Sequence, residues 1–219
     1  MAAKKVPQLK RARSAAVPPE ARRQRIVLAA VAEFARSGYA AASTNAIAQE
    51  AGVAKGLVFH HFENKEVLFT AAFEHVMAVT VAAIFDGLGE LPPDLFDRLL
   101  VIGLRKMQLF QKDPDGYRFM AVALTEAPVR LRDALVRKQM ESTAQHWPHV
   151  MDGIDGSRLA PGVTVQDALQ TISMLMEGFE RSVMPSLARL PDRGASRLEA
   201  LGESARVHLH RLRDGLYKR

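Results

Sequence analysis

The sequence predicts an all-α chain in which a small N-terminal helix-turn-helix unit is joined to a larger helical body. Three observations carry that expectation. Apolar residues recur at helical spacing from about residue 20 onward, no stretch alternates with the two-residue period of a strand, and two short helical segments near the N-terminus flank a glycine turn. Composition agrees: the 219 residues are 48% hydrophobic and 25% charged, as expected of a chain that buries a core.

Taken in order, residues 1–19 read as a flexible basic arm, with Lys4, Lys5, Lys10, Arg11 and Arg13, two closing prolines and no sustained apolar period. A first helix begins near Glu20. Ile26, Ala29, Ala30 and Phe34 share one face, while Arg22, Arg23, Arg25, Glu33 and Arg36 cover the rest. Gly38 stops it, and Tyr39 is placed to fold back. Ser43 is the expected cap of a second, short helix through Gln49; Ala51, Gly52 and Val53 form the turn; a third helix runs from Ala54 to His61. Ala48 lets the two helices approach, and Gly52 supplies the positive φ the turn needs. Ile47, Val53, Val58, Phe62 and Phe59 are assigned to the core.

The body opens with an apolar stripe from Val67 to about Phe85, ended by Gly87 and Gly89. Its length suits a membrane span, but Glu74, His75 and the helical period favour a buried helix, and no membrane partner is expected. Pro92 to Asp94 restart the chain into a helix carrying Phe96, Leu99, Leu100, Met107 and Phe110. Asp113 to Gly116 read as a turn before a helix from Tyr117 to Ala127, and Pro128 opens one running to about Trp147. Thr164 with Asp167 forms a capping pair for a stripe ending at Pro185. Leu198, Leu201, Ala205, Leu209, Leu212 and Leu216 mark the last helix.

Charge separates the two parts. Residues 1–66 hold eleven Lys and Arg against five Asp and Glu, whereas the remainder holds nineteen of each sign. A basic end on a neutral body fits a polyanion-binding module, or simply a solvated basic tail. Without cysteine there are no disulfides, thiol nucleophiles or cysteine zinc sites, which with the lack of a secretory signal suits a cytoplasmic protein. His146 and His149 have Pro148 between them and only Asp152 nearby, so no metal is assigned. Neither a P-loop, a nucleophile elbow nor a dinucleotide fingerprint occurs, so no enzyme and no cofactor are expected.

The stretches Arg25 to Phe34, Gly38-Tyr39, Ile47 to Gly56 and His61 to Leu68 resemble, in order and spacing, the DNA-binding domain of the TetR family of transcriptional regulators. The resemblance implies a DNA-binding domain over residues 20–66, with its motif at 43–62, and a helical ligand-binding and dimerisation domain over 67–219. It implies a double-stranded DNA operator, a homodimer and an unidentified small-molecule ligand as partners. The expected DNA contacts are Ser43, Thr44, Asn45, Lys55, Gly56, His60, His61 and Lys65. Lys55 suits a guanine edge, Gly56 lets backbone approach the bases, and Ser43, Thr44 and Lys65 stand at helix starts that favour phosphate. His60 and His61 diverge by about 100° on a helix, so one alone faces the groove squarely. One departure stands out: Phe59 occupies a position where a tyrosine hydroxyl often meets phosphate. For the ligand, Met107, Phe110, Phe119, Met120, Trp147 and Met151 are candidate lining residues, with a plain core role as the alternative. An architectural DNA protein and a ligand-binding protein without DNA function remain the competing readings.

Overall fold

A computed structural model describes residues 18–187 and 195–217; the basic residues of the expected arm lie outside them. Among the described residues the chain forms ten helices: α1 (Pro19–Ala41), α2 (Thr44–Glu50), α3 (Lys55–His61), α4 (Lys65–Phe85), α5 (Leu95–Lys112), α6 (Pro114–Thr125), α7 (Val129–Ala144), α8 (Trp147–Met151), α9 (Val165–Leu187) and α10 (Ala195–Leu216). The sole strand-like feature among them is an isolated bridge between Leu159 and Tyr217.

Helix α1 buries the expected stripe of Ile26, Ala29, Ala30 and Phe34. Gly38 breaks its regularity at φ 72° and ψ 173°, a region essentially reserved for glycine. The Glu126 carboxylate at the end of α6 lies where a β-carbon would stand. Tyr39 does fold back, its ring parallel to Phe34 at 6.3 Å and edge-on to Phe69 at 4.9 Å. Glu33 corrects the sequence reading: it is 4% exposed rather than on the outer face. Its carboxylate accepts the Ser43 N–H at 2.9 Å, a backbone partner ten residues away.

Asn64 caps α4 by accepting the Val67 N–H at 2.9 Å. By length and hydropathy α4 matches a membrane span. Here it buries Leu68, Phe69, Ala72, Phe73, Val76, Met77, Val81 and Ile84 and packs against α1, α5, α6 and α7.

Three boundaries in the body differ from the expectation. Pro114 to Gly116 are the first turn of α6, not a separate turn, because Asp113 caps the helix through the Gly116 N–H and Pro114 suits the first helical position. The helix expected from Pro128 to about Trp147 ends at Ala144, and a further short helix, α8, begins at Trp147. The chain turns at Gln145 and His146, and the His146 ring stacks on Phe85 at 4.4 Å. Helix α9 has the Thr164–Asp167 cap in both directions, at 3.0 and 3.1 Å, yet continues past Pro185 to Leu187. A proline this close to a helix end removes one bond without ending the turn.

Two apolar cores result. The first joins α1 to α4 with α6 and α7 around Phe34, Phe69 and Phe119, whose centroids lie 4.7, 5.0 and 6.2 Å apart. The second joins α5, α9 and α10 through Leu95, Phe96, Leu159, Ala168 and Ile172, with Leu209, Leu212 and Leu216 against them. Asp94 stands at its edge, accepting from the Phe96 and Asp97 amides at 3.0 and 3.1 Å and from Arg158 at 2.6 Å. Burial alone would raise its pKa, but the Tyr217 hydroxyl, the two amides and Arg158 outweigh burial and hold it low. Tyr217 is pushed up to about 12 by burial and by its hydrogen bond to Asp94. Nearby Arg98, 2% exposed, donates to the carbonyls of Pro92, Val150 and Asp152 at 2.7, 2.7 and 2.5 Å, tying α8 to the start of α5.

Candidate nucleic-acid interface

The α2–turn–α3 motif is held in place by α1. At its start, Ser43 caps α2 by accepting the Ala46 N–H at 3.4 Å. Glu33 fixes the Ser43 amide, and Arg36 bridges Glu33 at 2.5 Å to Glu50 at 3.7 Å. Burial would raise the Glu33 pKa; the Ser43 amide, Arg36 and Ser37 more than offset it and lower the carboxyl below its usual value. At the turn, Arg25 donates to the carbonyls of Ala51 at 2.9 Å and Gly52 at 3.1 Å. Gly52 takes φ 64°, as the turn was expected to require, and a β-carbon there would come 3.0 Å from the Arg25 guanidinium. Ala48 is buried, and its carbonyl accepts the Val53 N–H at 2.9 Å. Both ends of α2 are therefore clamped by side chains of one helix, which fixes how the turn presents α3.

Helix α3 divides cleanly. Val58 is buried, as is Phe62, which follows the helix; Lys55, Gly56, Phe59 and His60 are exposed; His61 is half-buried, its ring edge-on to His60 at 5.6 Å. Phe59 is thus a correction: assigned to the core by its apolar character, it is 40% exposed. At 100° per residue, Lys55, Phe59, Gly56 and His60 follow one another around a single arc of about 140°. Gly56 has open space around it, since a β-carbon added there would meet nothing within 4 Å.

The other expected contacts flank this face. Ser43 and Asn45 are exposed, and Thr44 is half-buried. Lys65 has an internal task that its sequence position did not reveal. Its ammonium donates to the carbonyls of Ala40 and Ala42 at 2.9 and 2.8 Å and sits over the Tyr39 ring at 5.4 Å, linking the end of α1 to the start of α4.

The six residues expected to line a ligand site have different surroundings among the described residues. Phe119 is in the first core; Met120 is buried beside it; Phe110 stacks on Tyr117 at 3.5 Å. Met107 reaches the backbone of Gly202 on α10, Trp147 is exposed and Met151 is half-buried. A small cavity of about 170 Å³ lies between α1, α4 and the α5–α6 turn, lined by residues including Leu28, Val31, His75, Val79, Asp113 and Asp115.

Comparison with known proteins agrees with this geometry. The family model described as bacterial regulatory proteins, tetR family, matches residues 26–72, which span most of α1, the whole motif and the first turns of α4. The HTH-type transcriptional repressor Rv1474c of Mycobacterium tuberculosis is 31% identical over 179 residues, covering 74% of this chain and 95% of that protein. The HTH-type transcriptional repressor SCO4008 of Streptomyces coelicolor is 48% identical over 63 residues, covering 29% of this chain and 33% of that protein. Among solved structures, the transcriptional regulator FadR from Bacillus subtilis, in complex with stearoyl-CoA, superposes with a TM-score of 0.61 at 20% identity, covering 85% of this chain and 96% of that one. Similarity thus extends from the clamped motif through the helical body, and the chain belongs to the TetR family of bacterial, helix-turn-helix, non-enzymatic transcriptional regulators.

Proposed function

We propose that the chain is a sequence-specific repressor, acting as a homodimer on a palindromic double-stranded operator and released from it by a small-molecule ligand. The observation that carries this reading is the outer face of α3, where Lys55, Gly56 and His60 stand exposed on a helix whose other side is core. Lys55 reads a guanine edge, and Gly56 allows close approach. Ser43, Thr44 and Asn45 meet phosphate or a base edge at the start of α2, with His60 and His61 beside them. Lys65 adds a phosphate contact with the donor that its two carbonyl bonds leave over. In functional terms, residues 1–19 act as an electrostatic arm, 20–66 as the reading head and 67–219 as the sensing and dimerising body.

Dimerisation follows from scale: one seven-residue recognition helix touches too few bases for useful specificity, and a two-fold operator needs a second copy. The long helices α9 and α10 are the proposed contact, with Met174 exposed on α9. Repression is supported by the names of the relatives from M. tuberculosis and S. coelicolor. Release by a ligand is supported by FadR of B. subtilis, a chain of this fold crystallised with stearoyl-CoA. Linkage requires that a ligand which weakens operator binding be weakened by operator to the same degree.

The test is selection of bound fragments from random duplex DNA, followed by a base-substitution panel on the selected site. A palindrome is expected. Lys55→Ala should relax preference at one symmetric pair of positions by about 1–3 kcal/mol, whereas Lys65→Ala should weaken all sequences alike. Binding without an enriched site would favour an architectural protein, and no binding at low salt would end the DNA-reading assignment.

A further inference from the structure

Leu28 on α1 and Val79 on α4 are large aliphatic side chains left 49% and 39% exposed, and both line the cavity between α1, α4 and the α5–α6 turn. Val31 and Val76, which are buried, form its apolar wall with them. At about 170 Å³ the space admits one six-membered ring, since an apolar cavity of about 150 Å³ takes up benzene. The rim has a different character. Asp113 and Asp115 line it from the α5–α6 turn and His75 from α4, with no lysine or arginine among the lining residues. One oxygen of Asp113 accepts the Gly116 N–H at 2.9 Å, and this carboxylate forms no ion pair among the described residues. Asp115 is met by Arg118 at 3.2 Å, yet its side chain stays 52% exposed. His75 is held towards α1, its Nδ1 standing 3.4 Å from the side-chain amide of Gln24. Arg118 balances Asp115, and the start of α6 sets only about half a positive charge against Asp113, so the rim stays negative.

We infer that this cavity binds a small organic ammonium ion carrying one ring, with the ring between Leu28, Val31, Val76 and Val79 and the ammonium group at Asp113 and Asp115. Apolar walls take the ring out of water, and a charge-assisted hydrogen bond to a carboxylate fixes the other end. Because the rim is exposed, the ammonium keeps part of its hydration and escapes most of the cost of burying a charge. An anion of the same shape meets two carboxylates instead. None of Met107, Phe110, Phe119, Met120, Trp147 and Met151 lines this space, so the site is distinct from the residues expected to hold a ligand in the body. Its walls come from α1, which clamps the motif, and from α4 and the α5–α6 turn, so an occupant braces one against the other. A part in operator release rests on the function proposed above; occupancy of the cavity does not.

The test is titration of benzylammonium into the full chain, without DNA, followed by nuclear magnetic resonance of isotope-labelled leucine and valine methyl groups. The methyl signals of Leu28, Val31, Val76 and Val79 should shift together and saturate, with benzylammonium bound about tenfold more tightly than benzyl alcohol, which has nearly the same shape and no charge. Asp113→Asn, whose side-chain oxygen can still cap α6, should bring the two ligands to equal affinity. Val79→Phe, at an exposed position, should fill the space and abolish binding of both. Equal affinity for the two ligands in wild type overturns the inference, as do shifts centred on other methyl groups or no saturation at millimolar concentration. A preference for the ammonium that survives in both Asp113→Asn and Asp115→Asn overturns it too. Since no DNA is present, loss of this site leaves the DNA-reading assignment standing, and failure to select an operator leaves the site standing.

Discussion

Around Phe34, Phe69 and Phe119 the chain is joined by aromatic rings in contact, whereas around Asp94 it is joined by a carboxylate, two arginines and a phenol. The first core includes α1 to α3 and reaches across α4 into α6 and α7; the second holds α5, α9 and α10. The α2–turn–α3 motif does not hang from the body by a linker, because the ring of Phe34 on α1 and the ring of Phe119 on α6 are part of one cluster. A displacement of α4 or α6 must therefore be passed to the motif or break the cluster. The second core is set apart by side chains that act at fixed hydrogen-bond distances and respond to protonation.

The largest expected effect is on the ring cluster. Phe119→Ala should cost about 3–5 kcal/mol of stability, measured by urea unfolding, although Phe119 lies on α6 outside the motif. It should lower operator affinity chiefly by unfolding the reading head. A loss under about 1 kcal/mol would show that the two halves of the cluster do not depend on each other.

Gly38→Ala should have a smaller effect, about 1–3 kcal/mol, from its backbone conformation. It also displaces the Glu126 carboxylate. Glu126→Ala in the same chain should recover part of the loss, and strict additivity would show that the contact between α1 and α6 is slack.

The smallest effect separates the cores by acidity. Glu33 serves the first and Asp94 the second, and both have pKa values lowered in the folded chain. Each therefore contributes stability that is present above its unfolded value, near about 4, and is lost as pH falls through the folded value. Glu33→Gln should flatten the acid loss followed by a probe in α1 to α3, and Asp94→Asn that followed by the single tryptophan, Trp147 on α8. Equal flattening of both signals by either variant would merge the two cores into one cooperative unit.

Much of the motif was legible because its signals are local. Ser43 before a short helix and Gly52 in the turn, like Thr164 with Asp167 at the start of α9 in the body, each announce a backbone geometry within four residues, and each is found as expected. Glu33 was not legible: a carboxylate reads as surface, and the amide that buries it belongs to Ser43, beyond the helix end. Phe59 failed in the opposite sense, since an apolar residue on a short helix reads as core whichever way it points. Lys65 showed its charge but not the two carbonyls it serves. Pro114 carried a usable signal, an aspartate followed by proline, which marks a helix start as readily as a turn. The same apolar spacing builds a pocket wall and a packed core, so spacing alone does not separate the two for a residue such as Phe119.

Native-state hydrogen exchange tests most directly the claim that the reading head shares one core with α4 and α6. As urea is raised, the slowest amides of α1, α4 and α6 should converge on a single opening free energy, distinct from that of α9. Amides of α1 that open at their own lower free energy, while α4 and α6 stay protected, would contradict the claim and make the motif an independently folding head.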